Sequence, residues 1–280
     1  MLMEFKTLKI RSRDEVMHCW LNRPEKRNAL NTEMLGELVG LFKRLAGDRG
    51  TRVLVLRGSG KVFSAGADLS EISELNGKSH SRLEEEMGLF FNCFDALYRL
   101  PVPTISYVHG GVHGGANGLV AACDLAIAEE GTQFSFREVA MGLVPATVAP
   151  FIIRRTGAGH ARRLMLWAQP FGPAEALEAG LVDMVAGPGE ADKKIRELCR
   201  LVRRNAPDAV SGTKKLLIDL ENDSLPPDPR RFLAGLSASA RRSGEAREGI
   251  RAFFERREPA WRKIDPAGER QGKPAPDGDQ

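Results

Sequence analysis

HGGVHGGANGLVAACDLAIA, residues 109–128, carries five glycines in its first ten positions and almost none of the usual helix or strand formers until Leu119. What flanks it gives it meaning. Thr104–Val108 upstream is short, β-branched and apolar, and it follows Pro101 and Pro103, so it reads as a strand. Leu119–Cys123 reads as a helix and Leu125–Ala128 as the next strand. A strand therefore empties into a glycine loop that opens a helix. The same order occurs earlier, where Arg52–Leu56 (RVLVL) runs into RGSGKVFSAGADL, residues 57–69. Two such units make an α/β protein, and sites in α/β proteins usually form at loops that leave strand ends.

Working outward, Phe5–Ile10 and Val16–Leu21 read as neighbouring strands with a turn around Ser12–Asp14. Asn31 and Thr32 offer an N-cap to an amphipathic helix carrying Met34, Leu38, Leu41, Phe42 and Leu45, which ends near Gly47. Glu84–Leu100 is a further helix. After about Glu190 the chain turns helical: Ile195–Val202, Ala209–Leu220, Arg231–Arg241 and Glu245–Arg257. The expected organisation is an α/β core over 1–188, a helical region over 189–264, and a tail over 265–280. The tail is rich in Pro and Gly without apolar periodicity, and reads as disordered. No repeat of fixed period is visible.

The 280 residues carry 41 basic and 37 acidic side chains, a net charge of +4. That balance is too weak to argue for nucleic acid or an anionic membrane. No apolar run is long enough for a bilayer span. The start, MLMEFKTLKI, lacks an export signal. The four cysteines, Cys19, Cys93, Cys123 and Cys199, show no C-x-x-C spacing and sit in apolar stretches. They read as reduced thiols of a cytoplasmic protein.

The glycine loops fail the nucleotide motifs. Gly58-Ser59-Gly60 lacks the third glycine of a dinucleotide fingerprint, and Gly60-Lys61 is followed by Val62 where a phosphate loop needs Ser or Thr. No G-x-S-x-G elbow occurs. His109 and His113 have no third ligand nearby, so no metal site is expected. Two glycine loops can instead each aim one backbone N–H at a single oxygen, because no Cβ stands in the way. That is the geometry of an oxyanion hole, and the second loop adds the positive end of a helix dipole.

Several segments, in order, resemble the enoyl-CoA hydratase/isomerase, or crotonase, superfamily: LNRPEKRNALN (Leu21–Asn31), FSAGADL (Phe63–Leu69), the 109–128 run, FREVAMGLVP (Phe136–Pro145), A-x-x-x-G-L-V-D at Ala176–Asp183, and EGIRAFFERREPAW (Glu248–Trp261). The likeness covers about residues 5–262. It implies a spiral of ββα units, a helical C-terminal trimerisation region, and a homotrimer or a homohexamer built as a dimer of trimers. It implies an acyl-CoA thioester substrate and no metal or redox cofactor, coenzyme A being part of the substrate. The two oxyanion donors fall on the N–H groups of Ala67 and Gly115. Arg27 and Ala29 match positions that contact the CoA nucleotide. Ala65, Gly66, Ala67, Asp68 and Leu69 match the stretch that receives the adenine and pantetheine arm. Phe253 and Arg256 match positions near the CoA tail, often across a subunit boundary.

One departure bears on mechanism. Many hydratases of this family carry two glutamates. Glu138 matches the second, but the first position is Gly118. The surrounding G-L-V-A-A-C-D and E-V-x-x-G-L-V-P-A patterns are similar to a subgroup that hydrates branched or glutaconyl-type acyl-CoA. The first expectation is hydration of a 2-enoyl-CoA, with Glu138 as acid and base. Isomerisation or decarboxylation of an acyl-CoA is the second, and a non-catalytic acyl-CoA-binding protein the third. An unmatched Glu138 would read as a solvated carboxylate near a helix start, and Ala67 and Gly115 as turn residues. Arg27 and Arg256 would read as surface charge, and the Arg241–Arg257 run as a salt-bridged helix face. His113, beside the glycine pair, is expected to pack or meet solvent, with a substitute acid–base role as its alternative. The acyl pocket depends on Ser70–Met87, the least patterned stretch of the α/β half.

Overall fold

The computed structural model describes residues 5–73, 77 and 79–262. The expected tail 265–280, residues 263 and 264 of the helical region, and part of Ser70–Met87 lie outside the described residues. Strands β1 (Leu8–Arg13) and β2 (Val16–Leu21) form an antiparallel hairpin. Its two turn residues, Asp14 and Glu15, both take positive φ, 50° and 62°, the turn whose twist suits a tight hairpin. The first strand thus lies later than the expected 5–10, and the turn one residue later than Ser12–Asp14. The cause is local: the Glu37 carboxylate accepts the N–H groups of Lys6 and Thr7 at 2.7 and 3.0 Å, so their donors are turned to a helix, and only the Thr7 carbonyl, accepting the Asn22 N–H at 2.7 Å, still meets the chain beyond β2.

The remaining strands are β3 (Val53–Gly58), β4 (Thr104–Val108), β5 (Gly111–His113), β6 (Leu125–Glu129), β7 (Gln133–Ser135) and β8 (Met184–Ala186). The main sheet has the order β1-β2-β3-β4-β6-β8 and is parallel beyond the hairpin. β5 and β7 pair in parallel as a separate ribbon. Helices are α1 (Thr32–Ala46), α2 (Leu69–Ser73), α3 (His80–Tyr98), α4 (Ala116–Ala122), α5 (Ala149–Trp167, broken at Gly157), α6 (Pro173–Glu178), α7 (Ala191–Arg203), α8 (Pro207–Glu221), α9 (Pro229–Arg241) and α10 (Gly244–Phe254). Asn31 caps α1 as expected, its side chain accepting the Met34 N–H at 3.0 Å.

The period-2 alternation of β3 divides the core. Leu54 and Leu56 pack with Cys19 against Leu38, Leu41, Phe42, Phe94 and Leu97 of α1 and α3. Val53 and Val55 face the other way and pack with Val16, Ile105 and Ile127 against Ile195 and Cys199 of α7. A strand buried on both faces reads as one unbroken apolar run, and burying each such side chain contributes about 1.5–3 kcal/mol. All four cysteines are free and buried. Burial pushes the thiols of Cys19, Cys93, Cys123 and Cys199 upward, Cys199 to about 11 and Cys123 to about 12. Among the described residues no helix is long and apolar enough to cross a membrane.

Candidate active site

The ends of β3 and β4 deliver the two glycine loops side by side. In the first, the Leu30 N–H donates to Gly66 O at 2.7 Å and the Asp68 N–H to Leu30 O at 2.9 Å. Residue 30 is thus held by the neighbours of Ala67 on either side, as in a parallel bridge, so the Ala67 N–H points away from Leu30. The opposite edge of the loop is fastened to β5, where the Ser64 N–H donates to Gly111 O at 3.1 Å and the His113 N–H to Ser64 O at 3.2 Å. Between these fastenings Gly66 takes φ +88°, and a Cβ there would lie 2.5 Å from His113 O. Only glycine permits that approach.

In the second loop Gly114 takes φ +51° and donates its N–H to Ser135 O at 2.9 Å. Gly115 then stands at the N-cap of α4. Among the described residues neither the Ala67 nor the Gly115 N–H meets an acceptor. Both residues are half-buried. A helix start leaves its first N–H groups without intrahelical partners, and with the Ala67 N–H free on the adjoining loop the two can serve one acceptor.

A polar frame holds the first loop. Asn28, fully buried at φ 54°, accepts the Arg23 N–H at 2.9 Å and donates to Ser59 O and Val62 O at 2.7 and 2.9 Å. The Ser64 hydroxyl donates to Asn28 O at 2.7 Å, and the Ala65 N–H to Arg27 O at 2.9 Å. Asp68 pairs with Arg23 at 2.9 Å and accepts from the Ser70 hydroxyl at 2.6 Å. Burial pushes the Asp68 carboxyl up, but the hydrogen bonds of Ser70 and Arg23 outweigh it and hold the group below its ordinary value. Ala29 lends its carbonyl to Arg23 at 2.7 Å, Arg27 is exposed, and Leu69 is 58 % exposed. The chain thus brings residues 27–29 and 65–69 together. Phe253 on α10 and Arg256 beyond it are exposed, and among the described residues none of their hydrogen bonds reaches this loop. Around them the expected salt-bridged face is present: Arg251 and Arg257 both pair with Glu248.

Glu138 precedes a single helical turn, Val139–Met141. Its Oε1 would lie 3.1 Å from a Cβ on Gly114, and its Oε2 is buried with no hydrogen-bond partner among the described residues. Burial raises the carboxyl above the usual glutamate value, and hydrogen bonding from the backbone of Glu138 and Arg137 offsets part of the rise. This is not the environment of a solvated surface carboxylate. Beyond it Met141, Leu143 and Val144 are exposed, Val144 by 83 %.

His113 is half-buried, and its Nδ1 lies 2.8 Å from the Ser135 hydroxyl. Burial lowers its pKa, and Arg137 and Arg27 add to the effect. His109 Nε2 donates to Gly60 O at 2.9 Å. The two histidines thus serve different partners. Among the described residues no three His, Cys, Asp or Glu side chains gather as a metal would require.

Three residues here have no part in the sequence reading. A Cβ on Gly118 would lie 2.6–2.9 Å from ring atoms of Phe94, so an aromatic ring fills the place beside Gly118. Phe90 lies 3.6 Å from where a Gly115 Cβ would be and stacks edge-on with Phe94, ring centres 6.3 Å apart. Asn117, fully buried, reaches the carbonyls of Gly114 and Ser135 through its amide. A lone amide in the small, apolar run G-G-A-N-G-L-V-A-A is the one signal that marks it. Phe90 and Phe94 carry none, being ordinary apolar positions of a helix.

Comparison with known proteins bears on the family and the fold. Residues 11–264 match the family described as enoyl-CoA hydratase/isomerase. A Thermus thermophilus relative, named provisionally as an enoyl-CoA hydratase, is 37 % identical over 245 residues, covering 86 % of this chain and 95 % of its own. The mouse mitochondrial Delta(3,5)-Delta(2,4)-dienoyl-CoA isomerase is 30 % identical over 261 residues, covering 87 % of this chain and 77 % of its own. The solved structure of Pseudomonas aeruginosa AtuE superposes with a TM-score of 0.89 at 33 % identity, covering 92 % of this chain and all of that one. With the family match spanning residues 11–264 and the fold shared over most of its length, the chain belongs to the enoyl-CoA hydratase/isomerase family, has the crotonase fold, and is an enzyme of that family.

Proposed function

We propose that this enzyme adds water to a 2-enoyl-CoA to give a 3-hydroxyacyl-CoA. The observation that carries the reading is the buried carboxylate oxygen of Glu138, without a partner among the described residues, beside the turn that presents the Gly115 N–H, likewise free among them. The N–H groups of Ala67 and Gly115 would receive the thioester oxygen, making the β-carbon electrophilic. Glu138 would take one proton from water as its oxygen bonds to the β-carbon. The negative charge collects on the thioester oxygen as an enolate. Glu138 then returns the proton to the α-carbon, so one water is added in full and the carboxylate is regenerated. Electrostatic donors of this kind are worth about 10²–10³ in rate each, and the acid–base group about 10²–10⁴.

The rest of the reading follows the sequence resemblance. Arg27, Ala29, Ala65, Gly66, Asp68 and Leu69 would line the CoA arm, with Phe253 and Arg256 contributing at a subunit boundary of a homotrimer or homohexamer. Branched or glutaconyl-type acyl groups are the preferred substrates. Coenzyme A enters as part of the substrate, with no separate cofactor, and the setting is the cytoplasm. One observation favours a second reading. Phe94 fills the place beside Gly118, which leaves a single carboxylate, and moving a double bond needs only one proton shuttle. The ultraviolet band of the conjugated enoyl thioester separates the two. Its loss from crotonyl-CoA or a branched analogue supports hydration, and its appearance from a 3-enoyl-CoA supports isomerisation. Tight binding of these esters with neither change would remove the catalytic reading.

A further inference from the structure

We infer that Asn117 is a positioning residue that aims the Gly115 N–H, an inference that rests on the oxyanion reading above. A peptide unit is planar, so fixing the carbonyl of residue 114 fixes the N–H of residue 115, which points the opposite way. Among the described residues the Gly114 carbonyl has two donors, both from Asn117: its backbone N–H at 3.0 Å and its side-chain Nδ2 at 3.0 Å. The same Nδ2 lies 3.1 Å from Ser135 O, which also accepts the Gly114 N–H at 2.9 Å. The amide thereby ties the turn to β7 from both ends of Gly114. Gly114 itself, at φ +51°, has no side chain that packing could hold.

The other end of the amide supports this assignment. Asn117 Oδ1 is buried without a hydrogen-bond partner among the described residues. An apolar side chain of similar shape would avoid an unpaired buried acceptor. The amide is therefore present for its donors, and those donors reach the carbonyls of the turn and of β7. Asn117 acts through the peptide and does not itself touch the thioester oxygen.

The test uses the full-length enzyme, crotonyl-CoA turnover, and the infrared carbonyl stretch of bound [1-13C]butyryl-CoA, which has no double bond to hydrate. Wild type should lower that stretch relative to free ester. Asn117→Leu should fold, keep KM within about twofold, lose about tenfold or more in kcat, and show a smaller carbonyl shift, part of the cost of a whole oxyanion donor. Asn117→Ser should retain most of both, because a serine hydroxyl can donate to the carbonyl three residues back. A leucine variant with wild-type kcat and the full carbonyl shift overturns the inference alone. Should that variant not fold, the serine variant decides: loss of the shift and of turnover overturns it. No carbonyl shift in wild type overturns the oxyanion reading itself, and this inference with it.

Discussion

Glu138 sits where folding works against its charge. Because burial raises its folded pKa above the ordinary value, the protonated form is the one that folding favours. The favourable contribution is complete below the unfolded value of about 4.3 and is lost as pH rises through the folded value. Glu138→Gln should therefore unfold at the same or a higher temperature than wild type at pH 7, with the difference shrinking toward pH 4; thermal scans across that range check it. The same variant should lose at least about a hundredfold in kcat while binding butyryl-CoA normally, measured by turnover and calorimetry. In wild type the acid limb of the kcat/KM profile should fall above the usual glutamate value, since the base must be ionised to accept a proton from water. A limb at the ordinary value would take Glu138 out of the base role.

At the scale of elements, α3 decides what the α4 side of the site can hold. Phe94 is fully buried and meets Phe151 edge-on, ring centres 5.6 Å apart. Gly118→Glu alone should destabilise the fold by more than the roughly 1–3 kcal/mol of overpacking, because a carboxylate is buried as well; denaturant melts measure this. Pairing it with Phe94→Ala should recover part of the loss by opening space for the new side chain, although the alanine change alone costs about 3–5 kcal/mol. The elements themselves were largely legible. β2 and β4 have the ends that alternation and flanking prolines indicate, and Asn31 caps α1. β5 and β7, three residues each, are too short for a period to show, and they exist because they pair with each other, with the loop around Ser64 bridging to β5. The ring beside Gly118 could not be read either, since a glycine says only that its own Cβ is missing and not what takes the room.

For the whole molecule, the C-terminal helices carry apolar side chains that none of the described residues covers. Phe253 and Phe254 are each 78 % exposed, Ile250 and Leu236 are exposed as well, and α9 buries no residue. Patches of this kind mark association surfaces, in keeping with the proposed trimer or hexamer. Replacing Phe253 and Phe254 together by serine should shift sedimentation toward smaller species and raise KM for acyl-CoA; unchanged sedimentation would remove these helices from the assembly. Sequence named Phe253 through resemblance, but no periodicity distinguishes a surface awaiting a partner from one facing a core. The placement of Glu138 beside Gly114 was likewise beyond local pattern, because it depends on β7 returning the chain to the ribbon. The contact between Gly66 and the carbonyl of His113 carries a consequence of its own. Since main chain abuts main chain there, the gap separating the two turns is set by backbone and not by the side chains around it, and altered neighbours can recruit new acyl groups while the chemistry performed on them stays the same.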